Sequence, residues 1–204
     1  MVYFFESRPT EYATPYQIVM GKDKFENDLL IKYSYKELNY VWFHTDKYSS
    51  AHVYLKLQPN EKSLDDVPDD VLNDCLQMVK ANSIQANKMV QCTIIISPWT
   101  NLKKNRFMKP GEVSFKSLKM CRRKQAFQRD NKILNRLTKT RVELFEDVEE
   151  TLHLAKKSKD GEFFSTLLAN NRDKPLEEEL ERKRAKKLAK CKKKNQDDEG
   201  EDDI

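Results

Sequence analysis

The chain has 204 residues, 35% of them charged and 38% hydrophobic, with a net charge of +5. That length suits one domain with extensions, and no apolar run approaches the roughly 20 residues that span a bilayer. The N-terminus lacks the basic start of a secretory signal, so a soluble protein is expected.

The charge is unevenly placed. Nine of the thirteen residues from Arg182 to Lys194 are Lys or Arg, and six of the eight from Asp197 to Ile204 are Asp or Glu. Residues 176–204 hold nine cations and ten acids, a net −1, which leaves +6 on the first 175 residues. The part expected to fold is therefore mildly basic, a balance that attracts polyanions without proving that it binds them.

Val2 to Glu6 and Tyr16 to Met20 read as two strands in a hairpin-like start, joined through Arg8-Pro9-Thr10. Gly21-Lys22-Asp23-Lys24 turns into a short helix with Phe25, Leu29 and Leu30 expected on its packed face. The Gly-Lys pair is no phosphate loop, since the GxxxxGK[ST] pattern is absent. Lys22 and Lys24 remain candidates for contact with a phosphate backbone.

Tyr40 to Leu57 holds a central strand pair around a polar turn, with His44 and His52 at the strand ends. Pro68-Asp69-Asp70 opens a helix, and Leu72, Cys75, Leu76 and Val79 line one face of it. Cys92 to Ser97 is a continuous β-branched run, as in a strand buried on both faces. Pro98 ends it. A weaker strand pair is expected around Val113–Phe115 and Cys121–Phe127. Asp130 is placed to cap a helix running through Lys139.

Leu144, Phe145, Leu152 and Leu154 continue a looser helical pattern, and Phe163, Phe164, Leu167 and Leu168 form an apolar patch after Gly161. Whether this patch packs on the domain or binds a partner is left open. From Leu176 to Lys194 the chain is helix-prone, with favourable Glu178–Arg182 and Glu179–Lys183 pairs. Its three leucines are too sparse for a long coiled coil, so a charged, solvated helix and a disordered acidic end are expected.

Four cysteines, at 75, 92, 121 and 191, show no paired spacing and read as reduced thiols. No zinc site is expected of them. His44 and His52 lack a carboxylate cluster at ligand spacing and read as strand-end histidines that satisfy backbone groups or touch a ligand. No nucleophile elbow, triad or carboxylate pair is present. The expectation is a non-enzyme without metal or cofactor.

Basic clusters supply the remaining candidates. Trp99 with Lys103, Lys104 and Arg106 has the composition of a base-stacking platform beside phosphate contacts. It equally suits a core tryptophan followed by a solvated turn. Arg122 and Arg123, with Lys124, form a further cluster. If that segment folds beside Lys103 and Lys104, the sheet has one basic edge. The Lys-rich run near the C-terminus suits nuclear import, an RNA contact, or only a solvated helix.

Several segments together resemble a known family. They are Met20-Gly21-Lys22-Asp23-Lys24-Phe25-Glu26-Asn27, Trp42-Phe43-His44, Ser49 to Leu55, Val79 to Gln85, and Trp99 to Lys104. Ile133 to Leu137 and Lys139 to Glu143 extend the likeness. Residues 1–145 resemble the NFACT-R domain in its free-standing form, the coiled-coil domain-containing protein 25 family. The resemblance implies an α+β module with a β-rich core that binds RNA. Larger relatives are ribosome-associated quality-control factors on the large subunit. Their tRNA recruitment and tail elongation are not expected here, because their additional domains have no counterpart in this sequence.

The expected architecture is a single β-rich α+β domain, with a mixed or antiparallel sheet and packed helices, over 1–145. A helical connector over 146–175 and a charged extension over 176–204 follow. The expected function is RNA binding or association with the large ribosomal subunit, in the cytoplasm or also the nucleus. The expected surface comprises Lys22, Lys24, His44, His52, Trp99, Lys103, Lys104, Arg122 and Arg123. The rivals are a DNA-binding module and an adaptor that takes a protein partner through the C-terminal helix and the Phe163–Leu168 patch.

Overall fold

The computed structural model describes residues 2–144 and 148–171. The charged helix and acidic end expected over 176–204, with Cys191, lie outside the described residues.

Strands β1 (Val2–Ser7) and β2 (Tyr16–Gly21) form the initial hairpin. Helix α1 (Lys24–Lys32) follows at once. The Asp23 carboxylate caps it by accepting the Phe25 and Glu26 amides at 2.9 and 3.0 Å, which satisfies donors that have no partner inside the helix. Strands β3 (Tyr40–Thr45) and β4 (Val53–Lys56) are the central pair, and helix α2 (Asp69–Ala81) leads to β5 (Cys92–Pro98).

Two short strands, β6 (Leu102–Lys103) and β7 (Ser114–Phe115), make a separate ribbon. Then come β8 (Arg122–Ala126), α3 (Asn131–Lys139), β9 (Val142–Leu144), α4 (Val148–Ser158) and α5 (Phe163–Asn171). The main sheet runs β8-β5-β3-β4-β2-β1-β9, and every pairing in it is antiparallel. The α+β class with an antiparallel sheet is therefore as the sequence predicts.

Side chains of successive strand residues point to opposite faces. Val41, Phe43, Val53, Leu55, Ile94 and Ile96 face α2 and α3, with Leu72, Cys75, Leu76 and Val79 of α2 packed among them. Tyr40, Trp42, Tyr54 and Ile95 face the other way, toward α1, α4 and α5. Covering both faces explains the unbroken apolar runs of β3 and β5. A buried carboxylate ties the first layer together: Asp74 accepts from Ser7 Oγ at 2.6 Å and from Arg136 at 2.7 Å.

Three local expectations change, and one open question closes. Leu144, read in a helical pattern, lies in β9 opposite Val2. Phe25 is 60% exposed, and α1 buries Asn27, Leu30 and Ile31 instead. The Val113–Phe115 and Cys121–Phe127 segments do not pair with each other. The first joins β6 in the ribbon, and the second extends the main sheet beside β5. A residue count between turns carries no information about which strand becomes the neighbour. The Phe163–Leu168 patch packs on the domain. Phe163 and Phe164 are buried, and the Phe164 ring meets Phe4, Tyr40 and Trp99 at centroid distances of 6.0, 5.8 and 6.1 Å. Gly161 permits this docking, since a Cβ there would sit 2.7 Å from the Glu37 carbonyl oxygen.

Phe164→Ala should lower the unfolding free energy by about 3–5 kcal/mol, as for other large-to-small changes at fully buried aromatic sites. Chemical denaturation reads it. A loss below about 1 kcal/mol would show that α5 does not unfold with the sheet.

Candidate nucleic-acid interface

At one end of the sheet, the turn from β2 into α1, the loop joining β3 to β4, and residues 108–113 surround an open cleft of about 1170 Å³. Each wall has a local cause. Gly21 closes β2 where Asn27 Oδ1 would lie 2.3 Å from any Cβ. The loop between β3 and β4 is docked on the end of α2, since Ala51 N–H donates to the Asn82 carbonyl at 3.1 Å and Ser83 Oγ to the Ser49 carbonyl at 2.7 Å. The third wall turns at Gly111, whose φ of +87° favours glycine.

Half-buried His44 faces the cleft, and Trp42 and His52, 1% and 2% exposed, lie buried beneath it as its floor. The Trp42 and His44 rings are nearly parallel, 3° apart with centroids at 5.5 Å, and His44 meets His52 edge-on at 4.9 Å. Trp42 Nε1 donates to His52 Nδ1 at 3.0 Å. An indole N–H can only donate, so this His52 nitrogen carries no proton. Burial pushes the His52 pKa down to about 3, with the neighbouring His44 and then Lys104 adding to it, while a hydrogen bond to the Gly111 backbone opposes the shift. His44 Nδ1 lies 2.7 Å from the Thr45 carbonyl and must donate to it. Burial lowers the His44 pKa too, against backbone hydrogen bonds to Thr45 and Ser50. The floor is thus neutral near pH 7, which suits rings that meet a base or a backbone rather than a proton carrier.

The rim is cationic. Lys22, Lys24 and Lys47 are exposed around the cleft and have no ion-pair partner among the described residues. Asp23 is occupied as the α1 cap, and Asp46 pairs with Arg123 at 3.1 Å. Asn27 is 5% exposed, lines the cleft, and its Oδ1 has no hydrogen-bond partner among the described residues.

The fold therefore brings Lys22, Lys24 and His44 together at the cleft, with His52 buried beneath them rather than exposed to a ligand. It separates the other candidates from them. Trp99 is 1% exposed, packed edge-on against Tyr40 and beside Tyr54 in the core facing α5, so the base-stacking role expected of it is corrected to a core role. A strand ending in a tight turn left its ring no route to solvent. Lys104 pairs with Asp28 at 2.5 Å and donates to the Lys109 carbonyl at 2.8 Å, while Lys103 lies in the β6–β7 ribbon. Arg122 pairs with Asp65 and Arg123 with Asp46, both on the edge strand β8. Lys103 and Lys104 do not join that strand, so the single basic sheet edge does not form.

Sequence reading missed Trp42, Lys47 and Gly111. Trp42 was within reach, because residues two apart in a strand share a face and His44 was already singled out. Lys47 lies in a turn whose approach to Lys22 is a matter of tertiary packing alone. Among the described residues no group of three or more His, Cys, Asp or Glu is placed to hold a metal ion, and no helix is long and apolar enough to cross a membrane.

The fold is an antiparallel α+β sheet covered by helices, with a cationic cleft at one end of it. Residues 1–117 match the family described as the NFACT protein RNA binding domain, and the chain belongs to that family. It is 67% identical to the protein JLP2 of Saccharomyces cerevisiae over 204 residues, covering 100% of this chain and 98% of the relative. It is 48% identical to coiled-coil domain-containing protein 25 of Mus musculus over 148 residues, 72% of this chain and 69% of that protein. The C-terminal part of the fibronectin/fibrinogen-binding protein from Streptococcus suis shares the fold. Its TM-score is 0.51 at 18% identity, covering 68% of this chain and 48% of that one. The families these matches name are RNA-binding and coiled-coil proteins, not enzymes.

The histidine floor has a measurable signature. A histidine whose folded pKa lies below its unfolded value binds its proton preferentially in the unfolded chain. Its contribution is complete above about pH 6.5 and is lost as pH falls toward the folded value. Stability should therefore decline from about pH 6.5 toward pH 3, by up to about 1.4 kcal/mol per pH unit for one histidine. His52→Gln should flatten that slope. NMR of the His52 ring should show the neutral, Nε2-protonated form still dominant near pH 5, and a midpoint near the ordinary 6.5 would refute the assignment.

Proposed function

We propose that the chain binds RNA through the cleft at the end of the sheet, and that the RNA it meets is ribosomal. The observation that carries the reading is the placement of Lys22, Lys24 and Lys47, unneutralised, around a floor where His44 lies flat on Trp42. Lysines that keep their charge attract phosphate, and a half-buried ring held in place is a stacking surface for a base. Membership in a family described by RNA binding supports the class of ligand. Association with the large ribosomal subunit extends that reading, as does a role in translation quality control.

The adaptor reading loses one of its two surfaces, since Phe163 and Phe164 are buried against the sheet. The other, the C-terminal helix, falls outside the described residues.

Fluorescence anisotropy with a labelled oligo-uridylate tests the cleft. Lys22→Gln, Lys24→Gln and Lys47→Gln combined should weaken binding by roughly tenfold. The slope of log affinity against log salt should flatten by about 2, from roughly 0.7 per single-strand phosphate contact. Unchanged affinity and slope would overturn this surface. DNA of equal sequence bound as tightly as RNA would favour the DNA-binding alternative. On a sucrose gradient, the wild-type chain should travel with the large subunit and leave it at high salt. Migration only as a small species would overturn the ribosomal part.

A further inference from the structure

A second groove, of about 640 Å³, runs between α1, α4 and the β6–β7 ribbon. Six cations line it: Lys32, Lys103, Lys104, Arg106, Lys116 and Lys156. The acids near it are already engaged. Asp28 holds Lys104 at 2.5 Å and also accepts the Gly111 amide at 3.0 Å, and Glu149 pairs with Lys32 at 3.3 Å. Lys103, Arg106, Lys116 and Lys156 have no carboxylate partner among the described residues.

Two of these four are fixed rather than free. Lys116 Nζ donates to the Thr100 carbonyl at 2.6 Å, and Lys156 Nζ donates to the Lys32 carbonyl at 3.1 Å. A carbonyl holds an ammonium group in place without cancelling its charge. A solvated basic helix would spread its lysines along one element. Here the cations come from α1, from both sides of the ribbon and from α4, and the fold makes them converge on a concavity. Concave walls of low dielectric focus such a potential.

The groove also continues the first cleft. Met108 lines both, and the Asp28 carboxylate, bound to Lys104 and to the Gly111 amide, stands between them. We infer that the second groove is a phosphate track for the same RNA strand that enters the His44 cleft. The cleft meets bases against its aromatic floor, and the groove, which has no histidine or tryptophan in its lining, holds only backbone. This rests on the RNA-binding reading above and adds a second, sequence-independent segment to it.

The test compares oligo-uridylates of about 4 and about 12 nucleotides, one at the short end of common single-strand site sizes and one well inside their range. It uses the full chain and a Lys103→Gln, Arg106→Gln, Lys116→Gln variant, at several salt concentrations. The variant should bind the short oligomer within about twofold of wild type. It should bind the long one roughly tenfold more weakly, with a salt slope flatter by about 2. A Lys103→Arg, Lys116→Arg variant, which keeps the charge, should match wild type on both lengths and shows that the fold is intact. Unchanged affinity and slope on the long oligomer would overturn the track, and so would equal losses on both lengths. Loss of binding to phosphatidylserine vesicles with RNA binding intact would overturn it in favour of a membrane surface. If the wild-type chain binds neither oligomer, the RNA reading itself fails.

Discussion

The central strands β3, β4 and β5 bury both of their faces, and most of the architecture follows from that requirement. Trp42 and Tyr54 point one way while Val41, Phe43, Val53 and Leu55 point the other, all 5% exposed or less. Neither face can meet water without exposing large apolar surface, at roughly 25 cal/mol per Å². Helices α2 and α3 close one side. On the other, α1 covers too little alone, so α4 and α5 return to the sheet and set Leu152, Ala155, Phe163 and Phe164 over it. The region expected as a connector is thereby part of the core, and a chain cut near residue 145 would leave Trp99 and Phe4 uncovered.

The electrostatic character of the surface follows from how the acids are used. Asp23 caps a helix, Asp28 fastens the loop after β6, Asp46 and Asp65 hold the arginines of β8, and Asp74 joins three elements. Each is bound to a structural partner. Lysines outnumber such roles, and some of those left over, among them Lys22, Lys24, Lys47 and Lys103, lie around the two depressions. A modest net charge can in this way present a strongly cationic surface. The neutral histidines fit the same pattern, since burial disfavours the protonated ring in both and Lys104 adds to this at His52.

Much of the sheet was readable from residue patterns. The apolar, β-prone run at Tyr40–His44, the β-branched run at Cys92–Ser97 and the Asp130 cap each mark an element by a local rule. The i, i+3, i+4, i+7 stripe of α2 appears in the core residue for residue. What stayed hidden depends on distant partners. Nothing near Trp99 tells whether its ring faces a base or Phe164. No local feature of Lys104 announces Asp28, which lies 76 residues earlier. The site was legible where its residues flank one strand pair, as Lys22, Lys24, His44 and His52 nearly do, and illegible where cations converge from separate elements.

The pairing of β1 with β9 sets a schedule for making the protein. Phe4 lies opposite Val142, and Val2 opposite Leu144. During synthesis at about 5–20 residues per second, the first strand must wait roughly 7–30 s before its outer neighbour exists. Through that interval the β1–β2 hairpin has an open edge, and its apolar residues lack the helices that later cover them. The nascent chain therefore spends most of its translation time as a partial sheet, and its sheet closes only when nearly the whole domain has emerged.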